Sequence, residues 1–204
     1  MKTRILCLEG ITGAGKTTQA RNVEAHLQKN GISFIIINEK QYEPFRQTVI
    51  DFHNGQMEGK SRRELVQIMA RAKGETYRRH FIPLIGVRDY IIFDRSIYTS
   101  GVHNHSEEIS MEEIIQINLN EGVIKPDEGL VLLCGPKIAK SRIDERRKSG
   151  GYNLPSMQET LEQITARREL YLELIQTHPE LYLLDTTNTT KEEVFSEVKE
   201  KLRI

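Results

Sequence analysis

Five short apolar runs punctuate the chain: Ile5–Glu9, Phe34–Asn38, Tyr90–Asp94, Leu130–Cys134 and Tyr182–Asp185. Their Ile, Val and Leu residues are continuous rather than alternating, the pattern of strands buried on both faces. Helical spacing fills the intervals. Ala20, Val23 and Leu27 form one stripe, closed by Gly31, and Ile114, Ile115 and Leu119 form another. Leu161, Ile164, Tyr171, Leu172 and Ile175 line a long later helix that His178-Pro179 stops, and Thr190 with Glu193 makes a capping box ahead of Val194, Val198 and Leu202. Strand alternating with helix implies right-handed crossovers, so the expected fold is α/β, a doubly wound three-layer sandwich with a five-stranded parallel sheet between helices.

Composition narrows the class. A chain of 204 residues can bury one sizeable core, so residues 1–204 read as one domain with a mobile insertion. Lys plus Arg equals Asp plus Glu, 29 of each, which leaves no overall drive toward nucleic acid or a membrane surface. No apolar run approaches the ~20 residues that span a bilayer, and the first residues carry no signal-peptide pattern, so the expected location is cytoplasmic. Cys7 and Cys134 lie in apolar runs and read as buried thiols rather than as a disulfide or a metal site.

The candidate chemistry begins directly after the first apolar run. Gly10-Ile-Thr-Gly13-Ala-Gly15-Lys16-Thr17 fits G-x-x-x-x-G-K-[ST], the strand–loop–helix context in which backbone N–H groups and a helix N-terminus converge on an anion. Gly10, Gly13 and Gly15 let the backbone approach phosphate oxygens, with Thr12, Ala14 and Thr18 completing the cradle. Lys16 supplies a point charge to the β- and γ-phosphates, and the Thr17 hydroxyl is placed to hold Mg²⁺. A nucleoside triphosphate is the expected ligand. A glycine turn before an ordinary helix is the competing account, and the complete motif in its context outweighs it.

Two further segments bear on the reaction. Asp94 and Arg95 stand at the carboxyl end of the third run, the edge where parallel sheets place ligands. An Arg there can bridge donor and acceptor phosphates, and an Asp can organise a metal's water shell or orient the Arg; a structural Asp–Arg pair is the alternative. Arg142-Ile-Asp-Glu-Arg146-Arg147-Lys148 then runs into Ser149-Gly150-Gly151-Tyr152-Asn153-Leu154-Pro155, cations followed by turn formers. Residues 142–155 are therefore expected to form a lid that brings Arg142, Arg146 and Arg147 to the transfer, against the plainer reading of a solvated helix face.

These blocks, in this order, resemble the thymidylate kinase family of nucleoside monophosphate kinases. The resemblance rests on Leu8-Glu-Gly-Ile-Thr-Gly-Ala-Gly-Lys-Thr-Thr-Gln19, Asp94-Arg95 with Thr99-Ser100, Lys125-Pro126-Asp127, Ala139-Lys-Ser-Arg142-Ile-Asp-Glu-Arg146 and Arg168-Glu-Leu-Tyr171-Leu-Glu-Leu174. It implies ATP-dependent phosphorylation of a deoxypyrimidine monophosphate with Mg²⁺, in a homodimer whose partners are small nucleotides. It also implies roles: Lys16 stabilising the migrating phosphoryl group, Arg95 clamping phosphate, and Arg142, Arg146 or Arg147 closing over the transfer, beside the metal roles already read for Thr17 and Asp94.

On the acceptor side the chain departs from the family pattern. Thr12 stands where the family commonly has Asp, Asn38-Glu39-Lys40 replaces an Arg-Glu-Pro segment with Pro44 and Arg46 further on, and Met69, Lys73 and Asn104 align with a stacking Phe, a base-reading Arg and a Gln. Met is a softer platform than Phe, and Lys lacks the guanidinium fork. The acceptor set is thus Thr12, Glu39, Arg46, Met69, Lys73, Arg95, Ser100 and Asn104. Thymidylate, or a related or modified pyrimidine nucleotide, is the expected acceptor. Asp94-Arg95-Ser96 also resembles the acidic-Arg-Ser motif of deoxynucleoside kinases, an activity that would need Glu39 as general base. A nucleotide-dependent switch is the alternative of another class, and no Asn-Lys-x-Asp element supports it.

Overall fold

A computed structural model describes residues 2–149 and 159–204. The five expected strands form, as β1 (Arg4–Gly10), β2 (Phe34–Ile37), β3 (Tyr90–Asp94), β4 (Glu128–Leu133) and β5 (Leu181–Asp185). They make a five-stranded parallel sheet in the order β2-β3-β1-β4-β5. Eight α-helices flank it among the described residues: α1 (Lys16–Lys29), α2 (Phe45–His53), α3 (Arg62–Thr76), α4 (Ile97–Asn104), α5 (Met111–Asn120), α6 (Pro136–Lys148), α7 (Leu161–Thr177) and α8 (Lys191–Leu202). None of them is long and apolar enough to cross a membrane.

The expectation of strands buried on both faces holds in the sheet centre, where β1, β3 and β4 are almost wholly buried. It fails at the edges. β2 is mostly half-buried and Leu183 of β5 is 43% exposed, because an edge strand has a neighbour on one side only.

The chain divides into two compact units, one of Met1–Cys7 with Ile32–Asp127 and one of Leu8–Gly31 with Glu128–Ile204. In the first, β2 and β3 pair from Phe34↔Tyr90 to Ile37↔Phe93, so their carboxyl ends leave the sheet side by side. Its core is aromatic: Tyr77 stacks on Phe93 with centroids 5.1 Å apart, and Phe81 meets both rings edge-on. Ser61 and Glu64 close a capping box on α3, and Gly74 lets that helix approach the Glu121 carbonyl, which a Cβ would meet at 1.9 Å.

In the second unit β4 and β5 pair from Gly129↔Leu181 to Leu133↔Asp185. The expected capping box of Thr190 and Glu193 starts α8, a second box of Thr160 and Gln163 starts α7, and α7 ends at His178 ahead of Pro179. Glu9 is fully buried in β1 and accepts a hydrogen bond from the Tyr171 hydroxyl of α7 at 3.0 Å. Cys7 and Cys134 are buried and outside any disulfide, and burial, ahead of all other influences, raises the Cys134 thiol above its usual range.

Candidate active site

The second unit carries the phosphate loop. Gly10 ends β1 at φ 122° with its backbone against β4, so a Cβ there would lie 1.9 Å from the Leu132 carbonyl oxygen. At Gly13, φ is 86° and a Cβ would meet the Ala139 carbonyl at 2.6 Å. These contacts, and not loop flexibility, demand glycine. The loop then delivers α1, whose first turn has neither a side-chain cap nor an acidic residue, so its N–H groups remain suited to an anion.

Lys16 is buried, and its Nζ donates to the carbonyls of Gly10 at 2.8 Å and Ile11 at 2.7 Å. Thr17 beside it is exposed, Thr12 and Thr18 are half-buried, and Ala14 is buried. An exposed hydroxyl at the first turn of α1 is a hard oxygen donor next to the cradle, so the residues present fit Mg²⁺ carried in with a triphosphate. Among the described residues no three His, Cys, Asp or Glu side chains cluster into a metal site of their own.

Arg142 is turned toward this loop. From the middle of α6 its guanidinium donates to the Gly13 carbonyl at 3.3 Å and to the Thr186 carbonyl at 3.0 Å. Thr186, directly after β5, donates through its hydroxyl to the Ala14 carbonyl at 2.9 Å. Helix α6 continues unbroken to Lys148, with Arg146 and Arg147 exposed in its last turn. The remainder of the expected lid, from Gly150 and Gly151 to Pro155, lies outside the described residues.

The first unit carries a different set. Past β2, Asn38 caps a single 3₁₀ turn, Glu39–Gln41, by accepting from the Lys40 N–H at 3.2 Å. Glu39 and Lys73 form an ion pair at 2.6 Å with both side chains almost wholly buried. Lys73 also donates to Ser100 Oγ at 2.9 Å and lies 5.3 Å from the centre of the Phe45 ring, while the Tyr77 hydroxyl donates to the second Glu39 oxygen. Met69 stands one turn before Lys73 on α3 and is half-buried; Asn104 donates to the Ser100 carbonyl at 2.9 Å.

Asp94 closes β3 half-buried, and Arg95 follows at φ 76°, a left-handed conformation that costs a branched or bulky residue energy. Its guanidinium reaches Thr99 Oγ1 at 3.4 Å. Arg46 is not gathered into this network: it is exposed at the start of α2 and pairs with Glu43 at 3.4 Å. Lys40 is exposed by surface area yet close enough to protein mass for desolvation, followed by repulsion from Arg95 and Lys73, to lower its ammonium below the usual lysine range against the pull of Glu39.

Comparison with known proteins decides the family. The model described as thymidylate kinase matches residues 8–198, which enclose the phosphate loop, Asp94-Arg95 and the whole of α7. The chain belongs to the thymidylate kinase family. A thymidylate kinase of Clostridium novyi is 28% identical over 205 residues, covering 97% of each chain, and one of Leptospira interrogans is 26% identical over 175 residues, covering 85% of this chain and 82% of its own. The crystal structure of a thymidylate kinase from Ehrlichia chaffeensis superposes with a TM-score of 0.71 at 16% identity, over 100% of both chains, which shows the shared fold.

Against the thymidylate kinase pattern the residue readings separate clearly. The loop residues Gly10 to Thr18 lie together in the second unit, and Glu39, Lys73, Ser100 and Asn104 are joined in the first. Thr186, Glu9 and Tyr171 brace the donor side without having been foreseen. Thr186 was detectable: Thr186-Thr187-Asn188 leaves the carboxyl end of a parallel strand, where ligand-site residues collect. The Tyr77–Glu39 bond had no such signal, because 38 residues separate its partners.

Proposed function

We propose that the chain transfers the γ-phosphate of ATP to a deoxynucleoside monophosphate, with dTMP as its acceptor. The observation that carries this reading is the buried Glu39 carboxylate, already paired with Lys73, in a chain that also holds a complete phosphate loop with Lys16 buried within it. A phosphomonoester oxygen is anionic and attacks without a general base, whereas a nucleoside hydroxyl needs one. Both Glu39 oxygens already have partners, one Lys73 and the other the Tyr77 hydroxyl, so neither is left over for a nucleoside hydroxyl, which supports a monophosphate over a nucleoside.

In this mechanism Lys16 exchanges the carbonyls of Gly10 and Ile11 for phosphate oxygens, and the N-terminus of α1 holds the β-phosphate. Thr17 would hold Mg²⁺ and Asp94 would serve its water shell, and the ion would supply charge neutralisation to the triphosphate. Arg142 orders the loop through Gly13 and Thr186, while Arg95 presents a planar fork to the acceptor's phosphate. Arg146 and Arg147 supply charge to the transfer. Met69 and Asn104, with Lys73, line the base side. A homodimer in the cytoplasm, and a place in nucleotide biosynthesis, complete the proposal.

The test is an ATP-consumption screen across nucleosides and nucleoside monophosphates. Turnover with dTMP and none with thymidine supports the reading. Turnover with thymidine, or slow hydrolysis that no acceptor accelerates, would replace it with a nucleoside kinase or a nucleotide switch.

A further inference from the structure

Resting on that reading, we infer that Lys40 is a binding residue for the acceptor's phosphate, working beside Arg95. The register of β2 and β3 puts Ile37 opposite Phe93, so the turn Glu39–Gln41 and the pair Asp94-Arg95 emerge next to each other from one end of two adjacent parallel strands. Lys40 and Arg95 come from these two exits, and both belong to the first unit.

Arg95 and Lys73 are both close enough to repel the Lys40 ammonium, and the nearby carboxylate of Glu39, which attracts it, is already paired with Lys73. Among the described residues the Lys40 ammonium has no hydrogen-bond or ion-pair partner, although its backbone is fixed by the Asn38 cap. An anion arriving at this point would be attracted by Lys40 and Arg95 together and would relieve the repulsion between them. The backbone adds an independent sign. Arg95 is held at φ 76°, and such strain at a non-glycine residue persists where the side chain's direction is needed. The ligand chemistry is a phosphomonoester dianion: two cations of different geometry, one fork and one point charge, suit its three terminal oxygens.

The experiment compares wild type, Lys40→Ala and Lys40→Arg, with dTMP and thymidine as probes in calorimetric titrations and with steady-state kinetics for dTMP and ATP. Lys40→Ala should weaken dTMP binding about tenfold or more and raise its KM in step. Thymidine affinity and the KM for ATP should stay within about twofold of wild type, and Lys40→Arg should restore most of the dTMP affinity. Equal dTMP binding by Lys40→Ala and wild type overturns the inference while leaving the proposed function standing, and so does an equal loss for dTMP and thymidine. Failure of wild type to bind or phosphorylate dTMP overturns the proposed function, and the inference with it.

Discussion

Lys73 and Glu39 provide the sharpest test of how the first unit is built. Replacing Lys73 with Met keeps the length of the side chain but leaves the Glu39 carboxylate buried without its cation. Breaking a buried pair from one side costs about 3–5 kcal/mol, and at about 2–4 °C per kcal/mol for a chain of this size the melting temperature should fall by roughly 6–20 °C. Glu39→Gln keeps the acceptor for the Tyr77 hydroxyl but leaves Lys73 with only Ser100 and the Phe45 ring, so it too should destabilise. The double variant removes both charges, and the desolvation cost with them. It should be more stable than the sum of the single losses by about 2 kcal/mol or more. Urea denaturation of the four proteins closes the cycle. Single losses that add within about 0.5 kcal/mol would refute the reasoning, since the two charges would then be solvated and independent.

Four other outcomes follow from the loop and its neighbours. Lys16→Ala should lower turnover by about 10²–10³-fold with the melting temperature changed by only a few degrees, measured by coupled assay and thermal denaturation. Thr17→Ala should raise the Mg²⁺ concentration for half-maximal rate, and Mg²⁺ titrations that superimpose on wild type would remove Thr17 from the metal's ligands. Arg95→Gly should relieve the left-handed strain, raising stability by about 1 kcal/mol, while turnover drops at least ~10-fold for want of the fork; a variant that loses stability would show the conformation to be unstrained. Gly10→Ala should abolish soluble folding or ATP binding, because its Cβ would enter the Leu132 carbonyl, and a well-folded active variant would contradict that packing.

What the sequence determined by itself were the features whose cause is local. Continuous apolar runs mark the strands because a central parallel strand buries both faces, and the boundaries of β3 were legible to the residue. The phosphate loop was legible because its glycines answer to backbone geometry within eight residues, and the box at Thr190 because a cap and its partner are three apart. Helices α2, α3 and α4 were not read. In α3 the buried face is Val66, Ala70, Lys73, Gly74 and Thr76, a stripe whose apolar signal is broken by a lysine, a glycine and a threonine. Lys73 is buried only because Glu39, 34 positions earlier, arrives at the end of β2 to meet it. Arg142 likewise reads as one more cation in a charged run until the fold sets it against Gly13 and Thr186. Charge pairing and desolvation depend on distance in space, which spacing along the chain does not encode, so the tertiary structure alone decided which cations are spent on partners within the protein.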